Sequence, residues 1–152
     1  MKTLVLGLGN PILTDDSVGI RVARAVQNRL DRPDVTVEEA GMGGLGLLDV
    51  LAGYDKAIII DAIQTEGGRI GRIFRLGFDS LDSTRHVATP HDINLATALE
   101  LGKRLGIKLP RDMLIFAIEV KDVTSFSEKC TPQVEKAIPI CAEMVIKELD
   151  KS

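Results

Sequence analysis

The sequence predicts an α/β fold: a single three-layer domain with a twisted, mostly parallel sheet of about five strands and helices on both faces. Three observations predict it. Strand-like runs recur at residues 3–9, 35–40, 56–63 and 113–120, and three of them are continuously apolar, as strands buried on both faces are. Between them lie stretches whose apolar residues recur at helical spacing. Strands and helices therefore alternate, which leads to a parallel sheet with right-handed crossovers. A chain of 152 residues is long enough for a sizeable core, and no linker, repeat or composition shift divides residues 1–152 into smaller units.

Each element has a local reason. TLVLGLG (3–9) is an apolar run ended by glycine, the first strand. Thr14 or Asp15 can cap the helix that follows, with Val18, Ile20, Val22, Ala23 and Val26 as its apolar side and an end near Leu30, before Asp31-Arg32-Pro33. VTVEEA (35–40) is the second strand. GMGGLGLLDVLAGY then gives a glycine loop and a short helix with Leu45, Leu48 and Leu51 inward. KAIIIDAI (56–63) is the most hydrophobic strand, interrupted by Asp61. After the turn Glu66-Gly67-Gly68, RIGRIFRL (69–76) alternates like a half-exposed strand. Residues 77–90 read as a polar connection containing His86 and Pro90, and residues 92–106 as an amphipathic helix that Gly106 can close. Pro110 leads into MLIFAIEV (113–120), the last strand, and residues 121–130 are a loop. Thr131-Pro132 supplies an N-cap and a proline at the first helical position for a final helix reaching about Leu149.

Composition narrows the function. Hydrophobic content of 45% with well-mixed charge of 27% fits a globular chain rather than a disordered one. The net charge of −3, without a basic stripe, opposes nucleic acid as the main partner. The N-terminus lacks a signal-peptide core and cleavage site, and no apolar run approaches the roughly 18 residues of a membrane span, so a cytoplasmic location without a membrane partner is expected. Cys130 and Cys141 form no CxxC. On a single helix they would lie about 16 Å apart along the axis, beyond disulfide reach, which suits buried thiols.

The segment LGLGNPILTDDSVG (6–19) concentrates the chemistry. A glycine-rich strand-to-helix turn usually receives an anion, yet Asp15 and Asp16 would repel one. A non-catalytic nucleotide-binding module is one alternative: Gly7 and Gly9 begin a G-x-G-x-x-G fingerprint, and Glu38 or Glu39 could stand for the ribose-binding acid. Ile12 occupies the third glycine's place, however, and Pro11 removes a backbone donor. Peptidyl-tRNA hydrolases are a second alternative, since their chains begin with a strand and Gly-Leu-Gly-Asn-Pro, as residues 7–11 do here. In that family a glycine and a Thr-Arg-His-Asn segment follow closely. Here Ile12-Leu13-Thr14-Asp15-Asp16 follows, and Thr84-Arg85-His86 stands far downstream, before Val87.

The pattern G-x-G-N-x-(aliphatic)-x-x-D-(D/E)-x-x-G from Gly7 to Gly19, the strand–acid IIIDAI and the segment TPHDINL (89–95) together resemble the maturation proteases of NiFe hydrogenases, over nearly the whole chain. The resemblance implies an endopeptidase that removes a C-terminal extension from a hydrogenase large-subunit precursor once nickel is inserted. It also implies that two acids and a histidine, here Asp16, Asp61 and His91, ligate nickel brought by that substrate, with zinc or cadmium able to occupy the same ligands. The residues are compatible with this on their own terms. Asp16 follows the first strand and Asp61 ends the third, at the carboxyl edge where open α/β sheets place ligands, and His91 precedes a helix in a loop that can return there. Each has a plainer reading: Asp16 as an acid at a helix N-terminus, Asp61 as a turn-fixing carboxylate, His91 as an ordinary helix-start residue. Two carboxylates and an imidazole suit Ni²⁺, Zn²⁺ or Mn²⁺ without choosing among them; the resemblance selects nickel. Pre-bound zinc would offer metal-activated water, and an aspartic dyad of Asp16 and Asp61 would share a proton and leave His91 without a role.

No HExxH or Ser-His-Asp set stands out. Many relatives carry Asp-Gly-Gly-Thr after the second strand, thought to bear on substrate choice; here the stretch is Glu39-Ala40-Gly41-Met42. Glu39, Gly41, Gly43 and Gly44 are therefore expected to contact the substrate, with Asn10 offering its side-chain amide to the scissile carbonyl and Asp15 capping the helix. A monomer acting on a folded partner is expected.

Overall fold

The computed structural model describes residues 1–41, 45–77 and 95–151; of Leu45 and residues 95–98 only the backbone is described. Along the chain run β1 (Thr3–Leu8), a 3-10 turn (Thr14–Ser17), α1 (Val18–Arg29), β2 (Val35–Ala40), α2 (Leu45–Leu51), β3 (Lys56–Ile63), β4 (Ile73–Gly77), α3 (Leu95–Arg104), β5 (Asp112–Glu119) and α4 (Pro132–Asp150). One sheet carries all five strands in the order β2-β1-β3-β5-β4. β1, β2, β3 and β5 are parallel, and β4 is antiparallel to β5.

The order explains the layers. The chain leaves β1 for β2, then returns past β1 to reach β3, and right-handed crossovers in opposite directions put the two connecting helices on opposite faces. On the first face Val5, Ile58, Ile60, Phe116 and Ile118 meet Val18, Val22 and Val26 of α1 and Val134, Cys141 and Val145 of α4. On the second, Leu4, Leu6, Leu8, Ile59 and Met113 meet Leu47 and Leu51 of α2 and Leu99 of α3. β1 and β3 are buried at every position, which is why their sequences read as unbroken apolar runs. β2, at the edge, has exposed alternate positions.

One strand differs from its expected extent. The alternation at 69–76 suggests a strand throughout, but β4 begins at Ile73. Residues 69–72 form a turn closed by the Arg72 N–H to the Arg69 carbonyl at 3.0 Å, with Gly71 at φ +90°, a conformation a strand cannot use. The segment between β3 and β4 is also too short for a parallel crossover, so β4 returns antiparallel. Elsewhere boundaries fall within two residues of expectation for β1, β2, β3, β5 and α4, while α1 starts at Val18, after a 3-10 turn that takes up the expected cap positions Thr14 and Asp15. α3 ends as expected, with the Gly106 N–H on the Lys103 carbonyl at 3.1 Å and the Ile107 N–H on the Gly102 carbonyl at 3.0 Å.

Candidate active site

The chain leaves β1 toward one edge of the sheet and β3 toward the other, so a crevice opens between their carboxyl ends, the usual ligand position of such sheets. In register, Gly7 of β1 lies beside Glu39 of β2 and Ile60 of β3, so Asp61 is the next step outward on β3. Its strand parity is that of Ala57 and Ile59, which face α2 and α3. The Asp61 carboxylate is buried at 7% exposure and accepts the Ala62 N–H at 2.8 Å.

Asp16 is brought to the same edge by backbone contact. A side chain at Gly19 would put its Cβ 2.3 Å from the Ile60 carbonyl oxygen and 2.4 Å from that of Leu8. Only hydrogen fits there, so the start of α1 rests directly on the ends of β1 and β3. The preceding turn is equally close: a Cβ on Gly9 would lie 2.1 Å from the Asp16 carbonyl oxygen. Asp16, 2% exposed, accepts the Asn10 N–H at 3.0 Å through Oδ2. The Asn10 side-chain oxygen accepts the Ile12 N–H at 3.1 Å, which closes the loop on itself and fixes the amide whose nitrogen is expected at a substrate carbonyl. Thr14 has φ +30°, a costly conformation for a β-branched residue, and its hydroxyl donates to the Ser125 carbonyl at 2.5 Å.

Asp15 does not cap α1, which has no side-chain cap. Its carboxylate, wholly buried, accepts the N–H groups of Lys121 and Asp122 at 2.9 Å, the Thr131 N–H at 2.7 Å and the Thr131 hydroxyl. Thr131 is the N-cap residue of α4 with Pro132 following, as expected, but it makes no side-chain cap, because its hydroxyl goes to Asp15. Glu135 instead reaches back to the Cys130 N–H at 2.8 Å. Backbone bonds between residues 12–15 and 122–127 complete the seam: Ser127 N–H to Ile12 O, Thr14 N–H to Ser127 O and Asp15 N–H to Asp122 O, at 2.8–3.1 Å. The loop holding Asp16 is thus stitched to a distant loop through Asp15, and no local sequence signal announces a partner 106 to 116 residues away.

Glu39 lies on the α1 side of β2, where Arg24 holds it through two hydrogen bonds of 2.7 and 3.0 Å; that contact, opposed by desolvation, keeps the Arg24 guanidinium above its ordinary pKa. Gly41 is exposed and runs along the Asp16 loop, where an added Cβ would lie 3.3 Å from the Gly9 carbonyl oxygen. His91, His86, Gly43 and Gly44 lie outside the described residues, and among the described residues no group of three potential ligands forms a metal site. Both cysteines are free and buried. Burial pushes the Cys141 thiol up to about 12, and it also raises that of Cys130, so neither offers a thiolate nucleophile. Among the described residues no helix is long and apolar enough to cross a membrane.

The family model described as hydrogenase maturation protease (HycI) matches residues 20–148, starting just past the Asp16 loop. The hydrogenase 2 maturation protease of Escherichia coli strain K12 is 30% identical over 154 residues, covering 100% of this chain and 93% of that protein, loop included. The hydrogenase expression/formation protein HupD of Bradyrhizobium diazoefficiens is 26% identical over 140 residues, 90% of this chain and 72% of its own. The solved structure of the hydrogenase maturating endopeptidase HybD from E. coli has a TM-score of 0.86 to this fold at 28% identity, over 99% of this chain and 93% of that one. With the fold, the loop and the full-length match in agreement, this chain belongs to the hydrogenase maturation protease family.

Proposed function

We propose that this chain removes the C-terminal extension of a NiFe hydrogenase large-subunit precursor after nickel insertion, and that Asp16, Asp61 and His91 read the nickel the precursor carries. The observation that supports this best is the pair of buried carboxylates at one sheet edge. Two carboxylates held at one sheet edge are hard oxygen ligands that can share a divalent cation. A precursor that presents a divalent cation to them therefore binds better than one that does not. Nickel is part of the substrate on this reading, and the protein's contribution is to test for it. When present, the metal supplies charge and polarisation to the nearby peptide; Asp16 and Asp61 orient it, and the Asn10 side-chain nitrogen is the amide donor available to the scissile carbonyl.

The acid pair also argues against the alternatives. A pyrophosphate or a tRNA backbone approaching β1 would meet Asp16 where the loop would need donors. Specificity for one precursor must come from more than three ligands, and a folded partner burying about 1,200 Å² or more is expected. Exposed Ile12 and Phe126, on the two stitched loops beside Asp16, suit such a contact. The test is a processing assay with nickel-loaded and nickel-free precursor. Cleavage of the loaded form alone, abolished by Asp61→Asn, supports the proposal. Equal cleavage of both forms, or rapid cleavage of a short free peptide carrying only the scissile sequence, sinks it.

A further inference from the structure

The turn at residues 69–72 packs against the first turns of α4 and leaves a groove of about 540 Å³, walled by Arg69, Arg72, Gln133, Lys136 and Ile140. The walls are fixed. The Gly71 N–H bonds the Glu119 carbonyl at 2.8 Å, and a Cβ on Gly71 would come within 2.8 Å of the Gln133 carbonyl oxygen, so turn and helix touch. The hydrogen bond from Arg72 to Arg69 brings two cations to one turn, and the Arg72 guanidinium is further placed 4.5 Å over the centre of the Phe74 ring.

Most of the described arginines are paired, and the unpaired cations elsewhere, Arg111 and several lysines, do not line this groove. Arg21, Arg24, Arg29, Arg32 and Arg75 each pair with a carboxylate. Among the described residues Arg69, Arg72 and Lys136 pair with none, in a chain whose net charge is −3. Three cations around a hollow with an exposed isoleucine, Ile140 at 57%, make a complement for carboxylates carried on a partly apolar chain. The position is also informative. Asp61, Ala117 and Phe74 form one row across β3, β5 and β4, so Phe74 lies about 10 Å from Asp61, two strand spacings; that row faces α2 and α3 while α4 packs on the other face, so a peptide in the groove reaches Asp61 by passing round the β4 edge.

We propose that this groove binds an acidic peptide segment, and, resting on the function proposed above, that the segment belongs to the precursor whose scissile region reaches Asp61. The experiment is fluorescence anisotropy with fluorescein-labelled hepta-glutamate, at low ionic strength and at about 0.15 M, where charge contacts are screened over roughly 8 Å. Saturable binding is expected, weakened by salt. Arg69→Glu/Lys136→Glu should lower affinity at least about tenfold, and Arg69→Gln/Lys136→Gln by an intermediate factor, as rim charges do. Arg104→Glu, on α3, should leave it unchanged, and circular dichroism should show all variants folded. With the precursor, the glutamate double variant should raise KM with kcat unchanged, whereas Asp61→Asn should abolish turnover without losing the peptide. Unchanged hepta-glutamate affinity in the folded double variants would overturn the proposal, as would deca-thymidylate binding in place of the peptide through the same residues. If no precursor is processed by the wild type, the function above fails while the peptide titration still judges the groove.

Discussion

The two faces of the sheet end differently at the carboxyl edge. Under α1 and α4 the packing continues to the rim: Ile60, Ala62, Ile118 and Val120 are covered by α1, α4 and Cys130, and α1 sits so close that Gly19 has no room for a methyl group. Under α2 and α3 the apolar cluster of described residues reaches the rim on β1 and β2 at Leu8 and Ala40 but stops at Ile59 on β3, where the next residue outward on that face is an acid. The difference teaches where a small α/β domain can place charge. The tightly packed face holds the loop rigidly, and the other face, whose helix α3 starts at Leu95, four residues past His91, receives the Asp61 side chain. Asp15 and Asp16 divide along the same line. Asp15 is spent on four donors of the 121–131 segment, and Asp16 takes the Asn10 N–H of its own loop.

The largest effect is expected at Asp61. Asp61→Asn keeps size and shape and removes the charge. Precursor processing should fall on the order of a thousandfold, the scale seen when one electrostatic element of a site is lost, with the melting temperature and far-UV circular dichroism unchanged. The wild type should gain melting temperature on addition of Ni²⁺, Zn²⁺ or Cd²⁺ if the empty ligands bind metal, and this variant should not. His91→Ala should match it in both respects, and His86→Ala in neither. Activity lost in His86→Ala and kept in His91→Ala would mean that the TPHDINL segment does not supply the ligand.

Asp15→Asn probes the clasp. An amide presents N–H groups to donors that need an acceptor, so buried charge-assisted bonds are replaced by unsatisfied groups, at a cost of about 3 kcal/mol. For a chain of this size the melting temperature should drop by roughly 6–12 °C, with amide exchange accelerated across residues 121–131. A variant as stable as wild type but inactive would reverse the roles assigned to Asp15 and Asp16.

Gly19→Ala tests the tight face with a smaller expected effect, about 2 kcal/mol of overpacking, because α1 can shift a little before its own core suffers. The shift would carry Asp16 away from β3, so processing should fall more than stability does. Equal loss of both at every temperature would mean that the approach of α1 to β3 serves packing alone.

The sequence made part of this division legible. Asp61 stands out because an acid after three isoleucines in a doubly buried strand has no bland place to go, and Asp16 because it follows a strand–glycine turn. The order of the apolar runs was enough for the parallel sheet. Other features were not legible, for physical reasons. Asp15 looked like a cap because caps are local, whereas its donors come from a loop more than a hundred residues downstream. Residues 69–72 read as strand because alternation survives in a turn, and the alternation says nothing of the positive φ that Gly71 takes beside α4. Glu39 matched by position the acid of the relatives' substrate segment, yet its parity on β2 sends it to Arg24. The helix pairing Arg75–Glu148 was likewise invisible, since it joins β4 to a helix packed on the sheet through two intervening elements of sequence.

That last pair gives the smallest predicted effect and a direct check on the packed face. Arg75 of β4 donates to Glu148 of α4 through Nε at 3.0 Å and Nη2 at 2.7 Å, and Lys151 adds a contact at 3.3 Å. Burial pushes the Glu148 carboxyl up, but the Arg75 and Lys151 contacts more than offset it, and the net pKa lies below the ordinary value. A carboxyl depressed in the folded state binds its proton less readily there than in the unfolded chain, so its contribution is fully present above the unfolded pKa of about 4.3. It is lost as pH falls through the lower folded value. Arg75 is half exposed, so solvent screens the pair and its worth at neutral pH is about 1 kcal/mol or less. Glu148→Gln should therefore lower the urea midpoint slightly at pH 7, and the gap to wild type should close once both forms are measured well below pH 4. A gap that persists at low pH would assign the effect to packing rather than charge. A gap larger at low pH than at pH 7 would mean that Glu148 is held protonated in the fold, and that the α4 face ties down the edge strand by its apolar contacts alone.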